Sequence, residues 1–268
     1  MAPSGVTPDE ATATSFLPAL IVVDMQEDFC PPNGPLAVQG ARTLAPVINT
    51  LLSLPGFVLK ISTQDFHPQT HISFAPNHPP PDNIPFKSTI AMKNPKAKTK
   101  TGDDAEPEQT KPQLLWPIHC VANTPGACLI PEIQADKIGY NIYKGMDARV
   151  EMYSAFADAF GNDDCVGTGG VNMDLAELLR GQEVTDVFVV GVAGDYCVRD
   201  TAVDAAKRGF RAWVVEEGVK CVDPEEGWEG AKRVLAEFGI GVVGIEGEEV
   251  GRVRGLGKEE EEQEEDDN

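Results

Sequence analysis

The chain of 268 residues has few basic side chains, no CxxC pair, no long apolar run and only four histidines. Each scarcity excludes something. Lys and Arg number 22 against 43 Asp and Glu, giving a net charge of −21. Binding a polyanion needs basic surface to release counterions, so the sequence argues against nucleic acid as a partner. The longest apolar runs are about five residues, far below the roughly 20 that span a bilayer, so no membrane anchoring is expected. Residues 1 to 15 are polar, without the apolar core of a signal peptide. The six cysteines are scattered, and the expectation is a reduced, cytoplasmic protein in which one or two thiols at most are reactive. No GxGxxG follows the first apolar strand, which argues against a dinucleotide-binding domain.

What is present is an alternation of strand and helix signals. Residues 19–23 (ALIVV) form a short, β-branched run that suits a buried strand. Residues 41–54 repeat apolar side chains at helical spacing and stop at Pro55-Gly56, and 57–61 reads as a second strand. Further strands are expected at 138–143, 186–192, 211–215 and 240–243, with helices at 173–179, 198–208 and 224–238. The pattern predicts an α/β fold: a doubly wound, mostly parallel six-stranded sheet with helices on both faces. The domain plan is a flexible arm over 1–16, one catalytic domain over 17–250 and an acidic, disordered tail over 251–268. A long insertion at about 75–113 lacks periodicity, and its Lys93 to Lys111 stretch is expected to be mobile. Eight acidic residues lie between Glu259 and Asp267, so the body itself carries about −13.

In open α/β sheets, ligands sit beyond the carboxyl ends of the strands. Those positions here offer Asp24, then Asp65 and His67, then Lys144, then Cys197. An acid, a metal-type pair, a base and a thiol at successive strand ends are hard to attribute to chance. Cys197 follows Gly191-Val192-Ala193-Gly194-Asp195-Tyr196 at an expected helix start, where free N–H groups favour a thiolate and can converge as an oxyanion hole. Alone, Cys197 reads equally well as a core thiol, Asp24 as a turn residue, Asp195 as a helix cap and Lys144 as an exposed lysine. Glu27 and Asp28 read as surface neighbours, and Gln26 as a residue bonded within its own turn. Asp65, His67 and the later His119 form a plausible site for a divalent metal, with His71 as a further ligand or support. Zinc is the default, and iron or manganese suits the same donors.

Several stretches then resemble the nicotinamidases of the isochorismatase-like cysteine hydrolase superfamily, closest to the fungal type. They are ALIVVDMQEDF from Ala19, QDFHP from Gln64 with HISF from His71, LWPIHC from Leu115, Lys144-Gly145, YSAF from Tyr153 and GVAGDYCV from Gly191. They fall in the family's order across roughly 17 to 245. The resemblance implies the isochorismatase-like hydrolase fold and a catalytic triad of Asp24, Lys144 and Cys197. It implies an oxyanion hole from the backbone of Ala193 and Cys197, with a cis peptide at Val192–Ala193. It also implies metal ligands Asp65, His67 and His119 with His71 nearby, and Phe29 and Trp116 flanking a pyridine ring. The implied activity is hydrolysis of nicotinamide, with pyrazinamide-like analogues as further substrates, in NAD salvage. A homo-oligomer is compatible with this reading. The alternatives are another amide or C–N hydrolase of the superfamily, which would share the triad without the metal ligands, and a non-catalytic, metal-stabilised binding protein.

Overall fold

The computed structural model describes residues 15–97 and 109–256. Its centre is a six-stranded sheet of β1 (Pro18–Val23), β2 (Leu59–Asp65), β5 (Tyr140–Lys144), β6 (Asp186–Gly191), β7 (Arg211–Val219) and β8 (Gly241–Val243), in the order β5-β2-β1-β6-β7-β8. Every neighbouring pair in it is parallel. Every residue of β1 and of β6 is buried, because central strands of a parallel sheet are covered on both faces and read as continuous apolar runs.

The pleat sends alternate residues to opposite faces. Leu20 and Val22 join Phe188 and Val190 in a core with Ile48, Leu51 and Leu52 of α1 (Ala45–Leu52). Ala19, Ile21 and Val23 join Val187 and Val189 in a second core. That core is covered by α3 (Leu175–Gly181), α4 (Arg199–Lys207) and α5 (Gly227–Glu237) through Leu175, Leu179, Ala202, Ala205 and Leu235. A short helix, α2 (Cys165–Thr168), belongs to a small satellite cluster with Met152 and Val171. Each fully buried aliphatic side chain stabilises the fold by about 1.5–3 kcal/mol, so Leu20→Ala, which opens a cavity between β1 and α1, should cost about 2–5 kcal/mol.

Several boundaries differ from the sequence reading, each for a local reason. The second strand begins at Leu59, not Phe57, and runs on through Ser62, Thr63, Gln64 and Asp65. Its polar half is buried because its groups are paired internally: Ser62 Oγ donates to Asn141 Oδ1 at 2.6 Å and Thr63 Oγ1 to Asp24 Oδ1 at 2.8 Å. Phe57 instead packs edge-on against Phe188, ring centroids 5.5 Å apart. Helix α3 starts late because Asp174 caps it, Oδ1 accepting from Glu177 N at 3.0 Å. Pro224 lies outside α5, in a turn whose Glu225 and Glu226 N–H groups donate to Asp223 Oδ1.

The insertion is not structureless. Antiparallel strands β3 (Thr89–Lys93) and β4 (Thr110–Leu114) pair within it. Each strand has a single buried residue, Met92 and Gln113, too little for a visible apolar alternation. The middle of the Lys93 to Lys111 stretch, 98–108, lies outside the described residues, as do 1–14 of the arm and 257–268 of the tail. The chain is helical from 248 to 256, and Val250 and Val253 are fully buried in the α1-side core. Residues 251–256 therefore belong with the domain rather than with a disordered tail. Among the described residues no helix is long and apolar enough to cross a membrane.

Candidate active site

The parallel register brings the chemistry to one edge. Val23 pairs with both Thr63 and Gly191, and Asp65 pairs with Lys144. Asp24, Asp65, Lys144 and the turn after β6 therefore emerge side by side. Asp24 has φ +50, a left-handed conformation that costs a non-glycine residue about 1 kcal/mol or more and is held here by its surroundings. Its N–H donates to Thr63 O at 3.0 Å and its Oδ1 accepts from Thr63 Oγ1. Its Oδ2 is buried and makes no hydrogen bond of ordinary geometry, although Lys144 Nζ faces it at 2.9 Å as an ion pair.

Lys144 is fully buried. Its ammonium meets Asp24, Asp65 Oδ1, the Met152 carbonyl at 3.3 Å and Cys197 Sγ at 3.5 Å. Burial opposes the charge, but the two carboxylates outweigh it and hold the lysine well above its usual pKa. A buried ammonium between two carboxylates is a unit, and removing one member strands the others. Asp65 is held below the carboxylate range: burial pushes the other way, and Lys144 and His67 overcome it. Asp24 is raised, chiefly by burial and then, against Lys144, by Asp65.

Cys197 sits in a π-helical turn, Gly194–Val198, that leads into α4. The Val192–Ala193 peptide before it is cis. Gly191 (φ +117) runs so close to β1 that a Cβ there would lie 2.0 Å from Val23 O. Asp195 does not cap this helix. Its two oxygens accept from Val222 N at 2.9 Å and Asp223 N at 3.0 Å, pinning the loop after β7 to the cysteine turn. Burial drives the Cys197 thiol well above its usual pKa, Lys144 counteracts only in part, and Asp24 adds to the rise.

Asp65, His67 and His119 place ligand atoms within 4.8 Å of one another, all buried. Each imidazole is oriented by a carbonyl: His67 Nδ1 meets Gly145 O at 2.8 Å, and His119 Nδ1 meets Pro117 O at 2.8 Å. Both then turn Nε2 toward Asp65 Oδ2, at 3.4 and 3.8 Å. His67 Nε2 is buried without a hydrogen-bond partner. A carboxylate and two carbonyl-oriented imidazoles around an orphaned nitrogen fit a divalent cation. His71 is not in this set but groups with His67 and Glu151, whose ligand atoms also lie within 4.8 Å of one another. Its nitrogens meet Ser73 Oγ at 2.8 Å and Val150 O at 3.2 Å, and its ring stacks on His67 at 4.0 Å. Burial, and then His67, push His71 down to about 3 and hold it neutral.

Between the two groups lies a small cavity whose lining includes Phe29, Asp65, Trp116, His119, Ala193 and Cys197. The nucleophile candidate and two of the three metal-type residues thus face one space, walled by the two aromatic residues expected there. Glu151, Tyr153 and Tyr196 also line it. The YSAF and GDYC stretches carried the two tyrosines without indicating a role. Nothing in the spacing marked Glu151.

Supporting residues were the least visible. Gln26 does not bond within its own turn: its Nε2 donates to Asp65 O at 2.8 Å and Ala127 O at 2.9 Å, while its Oε1 accepts from Asp65 N at 2.8 Å. Asp28, read as a surface residue, accepts from Cys120 N at 2.7 Å, next to His119. Glu27 is paired with Arg42 at 2.6 Å.

The isochorismatase domain family matches residues 83–246. A nicotinamidase of Acinetobacter baylyi is 36% identical over 222 residues, covering 83% of this chain and 90% of that one. The structure of the yeast nicotinamidase superposes with a TM-score of 0.73 at 32% identity, over 85% of this chain and 99% of that one. A pyrazinamidase of Pyrococcus horikoshii in complex with zinc gives a TM-score of 0.60 at 33% identity, over 85% and 98%. The sheet, the cavity and these similarities agree: the chain belongs to the isochorismatase domain family and, within it, to the nicotinamidases.

Proposed function

We propose that the protein hydrolyses nicotinamide to nicotinate and ammonia, in NAD salvage, through a thioester on Cys197. The observation that carries this reading is the shared cavity: Cys197, with Lys144 and Asp24 behind it, opens onto the same space as Asp65 and His119. A divalent cation held by Asp65, His67 and His119, zinc in the first instance and iron or manganese with the same donors, would serve as a Lewis acid toward a pyridine nitrogen. The relative from Pyrococcus horikoshii with zinc supports that choice.

The chain's own residues do the rest. Phe29 and Trp116 confine a flat neutral ring that offers few charges to grip. The resting thiol keeps its proton, so transfer to Asp24 accompanies formation of the S–C bond. Asp24 Oδ2 has the free lone pair for it, because Oδ1 is engaged by Thr63. The backbone N–H groups of Ala193 and Cys197 receive the oxyanion. Asp24 returns the proton to the amine as the C–N bond breaks and ammonia leaves. Water then adds to the thioester, giving a proton to Asp24. The C–S bond breaks, Asp24 returns its proton to the leaving sulfur to restore the thiol, and the acid departs as nicotinate, its own proton passing to the released ammonia or to solvent. Lys144 stays charged throughout and offsets the charges of Asp24 and Asp65. A thiol nucleophile suits a reducing compartment, and the cytoplasm is proposed. Pyrazinamide-like carboxamides of the same shape are proposed as further substrates.

The test is ammonia release from nicotinamide by purified protein, before and after chelation and in Cys197→Ala. Release should stop on chelation, return with zinc, and fall by about 10⁴-fold or more in the mutant. Release that survives chelation would remove the metal from the scheme. Near-normal turnover in Cys197→Ala would remove the thioester.

A further inference from the structure

The insertion hairpin bonds to a cavity-lining residue, Tyr153, through a side chain that the proposed chemistry does not use. Gln113, buried on β4, donates from Nε2 to Leu114 O at 2.8 Å and to Tyr153 Oη at 3.0 Å. A carbonyl only accepts, so the atom facing Leu114 O must be the nitrogen, and the amide has one orientation. Trp116 Nε1, which only donates, meets the same phenol oxygen at 3.3 Å. Tyr153 is thus a double acceptor, and its own proton can point at neither neighbour. Among the described residues no hydrogen bond takes that proton, and Tyr153 lines the cavity beside Trp116, Ala193 and Cys197. Burial pushes the phenol well above its usual pKa and the Glu151 charge adds to the rise, so the proton is present at neutral pH.

We propose that Tyr153 donates this hydrogen bond to the carboxylate of the bound aromatic acid, and that Gln113 and Trp116 commit it to that direction. The proposal rests on the nicotinamidase reading. Hydrolysis turns a carboxamide with one acceptor oxygen into a carboxylate with two. The turn at Ala193 and Cys197 receives one of them. The other needs a donor, and the charged side chains that line the cavity, Asp65 and Glu151, are acceptors. Tyr153 supplies what the amide does not require and the acid does. The β3–β4 hairpin therefore bears on product retention and on selection of carboxylate ligands.

The experiment is equilibrium binding of nicotinate, and of benzoate as an aromatic carboxylate without ring nitrogen, to zinc-loaded protein by quenching of tryptophan emission. Nicotinamide turnover by the wild type is measured separately, so that a failure of the parent reading is seen by itself. Tyr153→Phe should weaken nicotinate about 10-fold or more, the scale of a hydrogen bond to a charged group. The KM for nicotinamide should change by no more than about threefold, the scale of a weaker hydrogen bond to a neutral group. Gln113→Glu offers the phenol proton an acceptor inside the protein and should weaken nicotinate similarly, with the ring still in place. It decides the matter if Tyr153→Phe does not fold. Nicotinate affinity within about twofold of wild type in folded Tyr153→Phe, below the loss of even a weak hydrogen bond, would overturn the proposal and leave Tyr153 as a prop for the indole alone.

Discussion

Two regions meet at the cavity and are built on different principles. The strand ends that carry Asp24, Asp65 and Lys144 are extensions of the parallel ladder, and their backbone is fixed before any side chain is considered. The segment between β4 and β5, which carries Trp116 and His119, has little ladder to rely on. It is tied down by buried side chains that bond to backbone: Asp28 to Cys120 N, and Gln26 to Ala127 O on one side and Asp65 on the other. The sheet supplies groups whose charges must be held against one another. That segment supplies Trp116 of the aromatic wall and one imidazole, and its placement depends on hydrogen bonds of long sequence separation. Damage to the first region should appear as loss of the charge cluster, and damage to the second as loosened binding on an intact fold.

Lys144→Met probes the first region and should have the largest effect. It leaves Asp24 and Asp65 buried without their ammonium, and breaking such a unit costs about 3–5 kcal/mol. Denaturant unfolding should show this, together with loss of turnover. A Lys144→Met protein of wild-type stability would mean that the cluster is not electrostatically coupled. Gln26→Leu probes the seam. Removing a partner that orients a ligand lowers metal affinity about 10- to 100-fold, which competition with a chelator would report. Affinity equal to wild type would show that the ladder alone fixes Asp65.

The smallest effect comes from the opposite end of the same sheet. Asp186, at the start of β6, is bonded by Arg211, Trp213 and Thr185. Burial acts to raise its pKa, but these hydrogen bonds prevail and hold it below the usual carboxylate value. A carboxyl with a depressed folded pKa contributes stability that is present above its unfolded pKa, about 3.9, and lost as pH falls through the folded value. Asp186→Asn should therefore lower the melting temperature modestly at pH 7, and the gap from wild type should close as pH drops below about 4. Its kcat/KM for nicotinamide should be unchanged. An activity loss would break the separation between the two ends of the sheet.

The strand cores were legible because parallel central strands are apolar throughout, as in 19–23 and 186–190. The polar half of β2 was not, because its hydroxyls and amide are satisfied by partners such as Asn141, 79 positions away from Ser62. The hairpin of the insertion was hidden for a related reason: with one buried residue per strand, it has no period to detect. The helix at 248–256 was hidden by its charged surroundings, although Val250 and Val253 anchor it. At the site, residue types announced Asp24, Asp65, His67, Lys144 and Cys197. Gln26, Asp28 and Gln113 act through contacts that no local spacing encodes.

The sequence by itself determined the fold class, the edge of the sheet where chemistry collects and the residue types available there, since all three follow from local periodicity and from which side chains follow each strand. Only the tertiary structure decided the surroundings and direction of those groups. It buried Cys197 beside Asp24, which with burial pushes the thiol pKa up, stacked His71 on His67 and made the Tyr153 oxygen an acceptor from both Gln113 and Trp116. Burial, ion pairing and hydrogen-bond direction depend on what lies across space, and in this chain the deciding partners are often 40 to 80 residues away.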